Sequence, residues 1–229
     1  MSFIPDKNLF LVTSAIRPVV DKFYTPEQRF QQTIDTLMSI RKIVPDSIIV
    51  LSEASFNPLK NDERTKLQKY CNVFIDFSNH LEVRQLSGSD MKSAAESALL
   101  FFSLLELKKQ PFMADVKRIF KISGRSTLDD SFDISEYDDK FGKYVFKKKI
   151  PTWMPPNFNL SSLLITRLYS FCTSLVDNYL QVLRNNYPLL QHMDTEHAHF
   201  VNIPQKYLVE FDRVHCTGLL SDNGQTEHY

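Results

Sequence analysis

The sequence predicts a single-domain α/β fold: a mostly parallel or mixed sheet flanked by helices. Three observations carry this. Short unbroken apolar runs recur at residues 9–12, 48–51, 73–75 and 119–122, as in strands buried on both faces. Segments with helical spacing separate them, so the first half reads β-α-β-α-β-α-β, and right-handed crossovers turn that order into a parallel sheet. The 229 residues carry no Pro/Gly-rich linker, which suits one domain somewhat larger than the usual roughly 150 residues.

Taken in order, Leu9-Phe10-Leu11-Val12 leads into the polar pair Thr13 and Ser14, and a polar loop runs from about residue 15 to 25. Thr25 stands as a helix N-cap with Pro26 at the first helical position. Phe30, Ile34, Leu37 and Val44 form the stripe of that helix, and Pro45 stops it. The second strand, residues 48–51, runs into Ser52 and Glu53. Residues 61–70 read as a short charged helix, and Val73-Phe74-Ile75 as a third strand ending at Asp76. Ser89 or Asp90 caps the clearest helix, where Met91, Ala94, Ala95, Ala98, Leu99, Phe102 and Leu105 recur at helical spacing. Ile119-Phe120-Lys121-Ile122 is a fourth strand and opens directly into Ser123-Gly124-Arg125. Beyond residue 127 the pattern weakens. Tyr144-Val145-Phe146 and Leu163-Leu164-Ile165 suggest further strands, residues 170–185 a helix, and residues 213–224 a strand with a turn at Asp222-Asn223-Gly224.

Composition removes several classes of function. Lys+Arg and Asp+Glu are equal at 27, so the formal net charge is zero, which disfavours broad nucleic-acid binding. The five glycines (Gly88, Gly124, Gly142, Gly218 and Gly224) are too dispersed for a GxGxxG fingerprint or a P-loop. Cys71, Cys172 and Cys216 form no CxxC pair and fit a reducing compartment. The first residues lack the features of a secretory signal, and no apolar run approaches the roughly 20 residues that span a bilayer. A cytoplasmic protein without a transmembrane segment is expected.

In an open parallel sheet, ligands bind beyond the carboxyl ends of the strands. The candidates are therefore Thr13, Ser14, Glu53, Asp76, Ser123, Gly124 and Arg125. Glycine admits close backbone approach and arginine offers a planar fork, a combination suited to phosphate; a tight turn with Arg125 paired to a carboxylate is equally compatible. A second constellation is Glu196-His197-Ala198-His199. In an extended chain its two histidines can bind a metal with the glutamate as general base; a helix start with exposed histidines is the other reading. Lys147, Lys148 and Lys149 read as a solvated edge and Cys172 as packing in an apolar helix. Ser14 lacks the GxSxG context of a hydrolase elbow.

KISGR at 121–125, followed by Ser126, Thr127, Leu128 and the pair Asp129-Asp130, resembles the SGR motif of small GT-A-type glycosyltransferases of large DNA viruses and bacterial surface-polysaccharide clusters. VTSAIRP at 12–18 and RFQQTIDTLMSIRKIVPDSIIVLSEAS at 29–55 are similar to the opening βαβ unit of such enzymes. The resemblance covers residues 8–128 and thins beyond. It implies a GT-A-like (Rossmann-like) domain with residues 1–125 as the nucleotide-binding half and 126–229 as the acceptor and catalytic half. Thr13 and Ser14 would lie against the nucleotide, and Glu53 on its base or ribose. Lys92, opening the long helix with Ser93, would approach the diphosphate, as anions favour helix N-termini. Ser123, Gly124 and Arg125 stand where many GT-A enzymes carry a metal-binding Asp-x-Asp, which is absent here.

The resemblance leaves Asp129, Asp130 and His199 as ligands for a divalent cation, Mn2+ or Mg2+. It makes Glu196 the base that deprotonates the acceptor for an inverting attack, with His197 touching diphosphate, metal or acceptor. Trp153, among Pro151, Pro155 and Pro156, is read as a hydrophobic plug in preference to an acceptor-binding lip. The activity implied is sugar transfer from a nucleotide-sugar, foremost a UDP-sugar, to a glycan or glycoprotein acceptor, in host cytoplasm if the chain is viral. A metal-dependent hydrolase around Glu196, His197 and His199, and a non-catalytic transferase-like binding module, are the rival readings.

Overall fold

The structure is a computed structural model that describes residues 6–19, 23–219 and 226–229. The elements follow as β1 (Lys7–Ser14), α1 (Pro26–Ile43), β2 (Ile48–Glu53), α2 (Asn61–Gln68), β3 (Val73–Asp76), α3 (Leu81–Ser87), α4 (Lys92–Leu107), β4 (Val116–Ser123) and β5 (Ser126–Leu128). Next come β6 (Tyr144–Lys147), β7 (Ile150–Pro151), β8 (Ser162–Leu163), β9 (Leu168–Cys172), α5 (Val176–Asn186), α6 (Thr195–Asn202), β10 (Leu208–Phe211), β11 (Cys216–Leu219) and β12 (Thr226–His228).

Seven strands form the main sheet in the order β10-β6-β9-β4-β1-β2-β3. β1, β2, β3 and β4 run parallel, and β9 lies antiparallel between β4 and β6. The sheet is therefore mixed, within a single α/β domain. The chain moves outward from β1 to β3 and then returns to place β4 on the other side of β1. The switch point of this sheet thus lies at the carboxyl ends of β1 and β4, where open α/β sheets keep their ligand crevice.

Period-two alternation divides the core between the two faces. Phe10, Val12, Phe120 and Ile122 pack beneath Ile34, Leu37 and Ile40 of α1. Leu9, Leu11 and Ile119 face Leu100, Leu104 and Leu107 of α4 and Tyr179 and Leu183 of α5. Helix α1 starts as expected: Gln28 N–H donates to Thr25 Oγ1 (3.3 Å) and Thr25 N–H to Gln28 Oε1 (2.8 Å), a capping box that satisfies two otherwise orphaned donors. Helix α4 is different. Its N-cap is Met91 with no side-chain cap, while Ser89 accepts from Met91 N–H at 3.2 Å; neither Ser89 nor Asp90 caps it.

The second half corrects several expectations. Residues 168–172 are not the start of a helix but the buried strand β9, and the helix begins only at Val176. Tyr169 and Phe171 bury large rings beside Tyr179, so the apolar run served sheet and helix alike. Cys172 consequently ends a strand, half-buried, with its thiol donating to Lys117 C=O. The expected strand at 163–165 shrinks to Ser162–Leu163, paired with β7 apart from the main sheet. The tail forms β11, paired with β5 and β12; the turn expected at 222–224 lies outside the described residues. Lys147 ends β6, an interior strand between β10 and β9 rather than a sheet edge, whereas Lys148 and Lys149 beyond it are exposed. Among the described residues no helix is long and apolar enough to cross a membrane.

Candidate active site at the strand ends

A cavity of about 420 Å3 opens over the carboxyl ends of β1 and β4. Thr13 and Ser14 enter it from β1, and Ser123, Gly124 and Arg125 from the end of β4. Gly124 sits tightly: its N–H donates to Thr13 C=O at 2.8 Å. A methyl at its Cα would stand 3.1 Å from that carbonyl oxygen and 3.2 Å from Ser14 Cβ, so glycine is what lets the two strand ends close. Ser14 Oγ bonds Thr33 Oγ1 of α1 at 3.0 Å.

The opposite wall comes from α4 and α6. Lys92, Ser93 and Glu96 line the cavity from the first turns of α4, and Thr195 and Glu196 from the start of α6. Asp194 caps α6, accepting from His197 N–H at 2.9 Å and from His197 Nδ1 at 2.6 Å. Because β9 is antiparallel to β4, its leading residues Thr166 and Arg167 arrive beside the end of β4, and Ser123 N–H donates to Arg167 C=O at 3.0 Å.

A polar network joins the two carboxyls of the cavity. Lys121, only 1% exposed, points from β4 towards α4. Its ammonium donates to Glu96 Oε1 and to Thr166 C=O, the latter at 2.9 Å. Thr166 Oγ1 donates to Glu196 Oε1 at 2.7 Å. Burial pushes the Glu96 carboxyl up, but the Lys121 ammonium and its hydrogen bond, with Arg167 and Arg125 nearby, outweigh it and hold the carboxyl below its ordinary range. The Glu196 carboxyl is held above that range, chiefly by burial and then by the charges of Glu96 and Asp194, against the Thr166 hydrogen bond.

The other sequence candidates lie elsewhere. Glu53 is fully buried behind the cavity, where burial above all raises its carboxyl, against hydrogen bonds from Ser55, Ser14 and Ile16. It pins the turn after β1 by accepting from Ile16 N–H at 3.0 Å, and its neighbour Ala54 lines the cavity instead. Asp129 accepts from Thr217 Oγ1 at 2.5 Å, and Asp130 pairs with Lys42 on the open surface at 2.7 Å. His197 and His199 are buried and helical, neither extended nor exposed. His197 Nε2 bonds Thr152 Oγ1 at 2.7 Å. His199 Nδ1 faces Thr195 C=O at 2.8 Å and its Nε2 the Tyr179 hydroxyl at 2.9 Å; burial pushes its pKa down to about 4, so it is a neutral core histidine.

Asp129, Asp130 and His199 therefore do not converge, and among the described residues no three His, Cys, Asp or Glu side chains group as a metal site. The donor set does not fit a divalent cation held by these residues. Trp153 is 61% exposed and meets His197 edge-on at 5.1 Å on the cavity rim; it is a lip, not a plug.

Glu96, Lys121, Thr166, Arg167 and Arg29 escaped the sequence reading. Lys121 carried a signal: a lysine inside a strand buried on both faces needs a partner. Glu96 stands four residues after Lys92 on the same helix face. Thr166 and Arg167 carried none, because their place depends on how β9 pairs.

No family model and no curated protein matches the sequence. Solved structures do match the fold. Core-mannan synthase A from Aspergillus fumigatus, in a Mn/GDP form, has a TM-score of 0.56 at 7% identity, over 90% of this chain and 73% of that one. Galactosyltransferase LgtC, in complex with donor and acceptor sugar analogues, has 0.53 at 9%, over 88% and 72%. The bifunctional glycosyltransferase WbbM has 0.52 at 12%, over 92% of this chain but 40% of its own. With its cavity at the β1/β4 switch point, the chain has the fold of GT-A nucleotide-sugar glycosyltransferases.

Proposed function

We propose that this chain is a nucleotide-sugar-dependent glycosyltransferase that moves a sugar, from a UDP-sugar foremost, to a glycan or glycoprotein acceptor with inversion. One observation carries the reading: Glu196, a partly buried carboxyl with raised proton affinity, lines the same cavity as Lys92 and Arg125 at the carboxyl ends of β1 and β4. Thr13, Ser14, Ser123 and Gly124 offer hydroxyls and close backbone to the nucleotide side. Glu196 takes the proton of the acceptor hydroxyl as its oxygen attacks the anomeric carbon. The bond from that carbon to the diphosphate oxygen breaks, and the departing negative charge meets Arg125 and Lys92. Holding donor and acceptor in line supplies much of the remaining acceleration. Position beside Glu196 gives His197 the role of holding Trp153 and Thr152 at the acceptor side.

The test is a thermal-shift panel of UDP, GDP, CDP and ADP, followed by transfer assays. UDP alone raises the midpoint, by the equivalent of about 2.7 kcal/mol at a hundred times its dissociation constant. Glu196→Gln keeps that shift and loses about 10²–10⁴-fold in transfer rate. A stabilising shift from Mn2+ or Zn2+ alone, with none from any nucleotide, overturns the reading in favour of a metal-dependent hydrolase. Nucleotide binding without any transfer leaves a binding module.

A further inference from the structure

The segment that leads into β9 grips Glu196 twice. Leu164 N–H donates to the Glu196 C=O at 3.2 Å, and Thr166 Oγ1 donates to Glu196 Oε1 at 2.7 Å. That segment is itself fixed from two sides. The Lys121 ammonium donates to Thr166 C=O at 2.9 Å and is ion-paired to Glu96 of α4. Ser123 N–H donates to Arg167 C=O at 3.0 Å. Thr166 is 4% exposed and Lys121 1%, so packing leaves this chain of groups little freedom. Lys121 and Glu96 offset each other's charge, and the Thr166 hydroxyl is the contact through which the chain reaches the Glu196 side chain.

The geometry points to Thr166 as a positioning residue: its hydroxyl holds Oε1 of Glu196, so that Oε2 is the oxygen that takes the acceptor's proton, and Lys121 with Glu96 holds Thr166 in place. This rests on Glu196 being the base of the glycosyl-transfer reading above. The acceptor O–H bond breaks towards Oε2 as the acceptor oxygen bonds the anomeric carbon, and the diphosphate leaves with the electron pair of the bond it loses. A hydrogen bond to an ionised carboxyl also favours its charged form. At Glu196 it works against burial and against the negative charges of Glu96 and Asp194. The other charged groups that line the cavity are Lys92 of α4, Arg29 of α1, Arg125 after β4 and Arg167 beside Thr166, with His197 next to Glu196 on α6. All of them remain in Thr166→Val, which removes the donor and keeps the shape; Thr166→Ser keeps the donor.

The test compares the full chain with these two variants, each checked for an unchanged melting midpoint; Thr166→Ala stands in if Thr166→Val melts lower. NMR of chain carrying 13C-labelled glutamate follows the Glu196 carboxyl over pH, its signal identified by its loss in Glu196→Gln. The titration midpoint is expected to rise by about one pH unit in Thr166→Val, as for the loss of a bond to a charged group, and to return in Thr166→Ser. Transfer is read as UDP release from UDP-glucose and UDP-galactose with an oligosaccharide pool as acceptor. In Thr166→Val the acidic limb of kcat/KM is expected to move up with the NMR midpoint and kcat to fall about tenfold, while UDP affinity by calorimetry stays within about threefold. Thr166→Ser is expected to recover most of the rate. A Glu196 midpoint that does not move in Thr166→Val, a rate that falls equally at every pH, or no recovery in Thr166→Ser overturns the proposal while the transferase reading stands. A parent chain that releases no UDP, whether or not it binds UDP, overturns that reading, and this proposal falls with it.

Discussion

A base that must take a proton near neutral pH works best when its own proton affinity is raised, and burial raises that of Glu196, the proposed base. The sign of the stability effect follows. The folded-state pKa lies above the ordinary value of about 4.3, so between the two values the folded chain binds the extra proton. The stability from this group is complete below the ordinary value and is lost as pH rises through the raised one. Glu196→Gln keeps the acceptor for Thr166 Oγ1 and has nothing to ionise. It should melt higher than the parent at pH 7, and the two melting curves should converge towards pH 4, while transfer by the parent rises with pH above the ordinary carboxylate range. A lower midpoint for Glu196→Gln at pH 7 would refute the assignment of a costly buried charge.

The loop between β7 and β8 carries Trp153, the single tryptophan of the chain. His197 holds it from below, edge to face, and is itself fixed by Asp194 and Thr152. Under the proposed function, this exposed ring on the rim of the cavity that Glu196 also lines would offer a flat apolar face to the C–H surface of an acceptor sugar. Because no other tryptophan contributes, emission reports this loop alone. Titration with acceptor oligosaccharide should shift or quench it. Trp153→Ala should raise the acceptor KM several-fold, worth about 1 kcal/mol, with donor KM unchanged, and Trp153→Phe should recover part of the loss. An equal effect on donor KM would place the ring elsewhere in the reaction.

At the scale of the molecule, the two halves named from sequence interlock. Residues 126–229 provide β9, β6 and β10, which extend the sheet from β4, and β5 beneath α1, where Leu128 N–H donates to Ser39 Oγ at 3.1 Å. Residues 1–125 alone would leave β4 as a long apolar edge, an aggregation hazard. That fragment is expected to show no cooperative thermal transition, whereas the whole chain melts in one; a soluble, cooperatively melting fragment would show instead that the first half is autonomous.

From the sequence came the parallel half of the sheet and the strand-end wall of the cavity. β1, β2 and β4 are buried on both faces and β3 is partly buried at the edge, so their apolar runs are unbroken, and the polar residues just after them must fall at one edge of the sheet. Thr13, Ser14, Ser123, Gly124 and Arg125, which do line the cavity, are legible in this way from the sequence. The end of β2 differs, because Glu53 turns inward to hold the backbone of Ile16. The opposite wall of the cavity, by contrast, was fixed by long-range packing. β9 reads like a helix because its apolar residues continue into α5, and its antiparallel pairing is a long-range choice that no local pattern encodes. That pairing brings Thr166 and Arg167 to β4, and the docking of α6 against α4 brings Glu196 within reach of Glu96 and Lys121. The same packing seals His199 into the core and leaves Asp129 and Asp130 outside the cavity, because burial and proximity belong to the folded chain and not to the spacing of its residues.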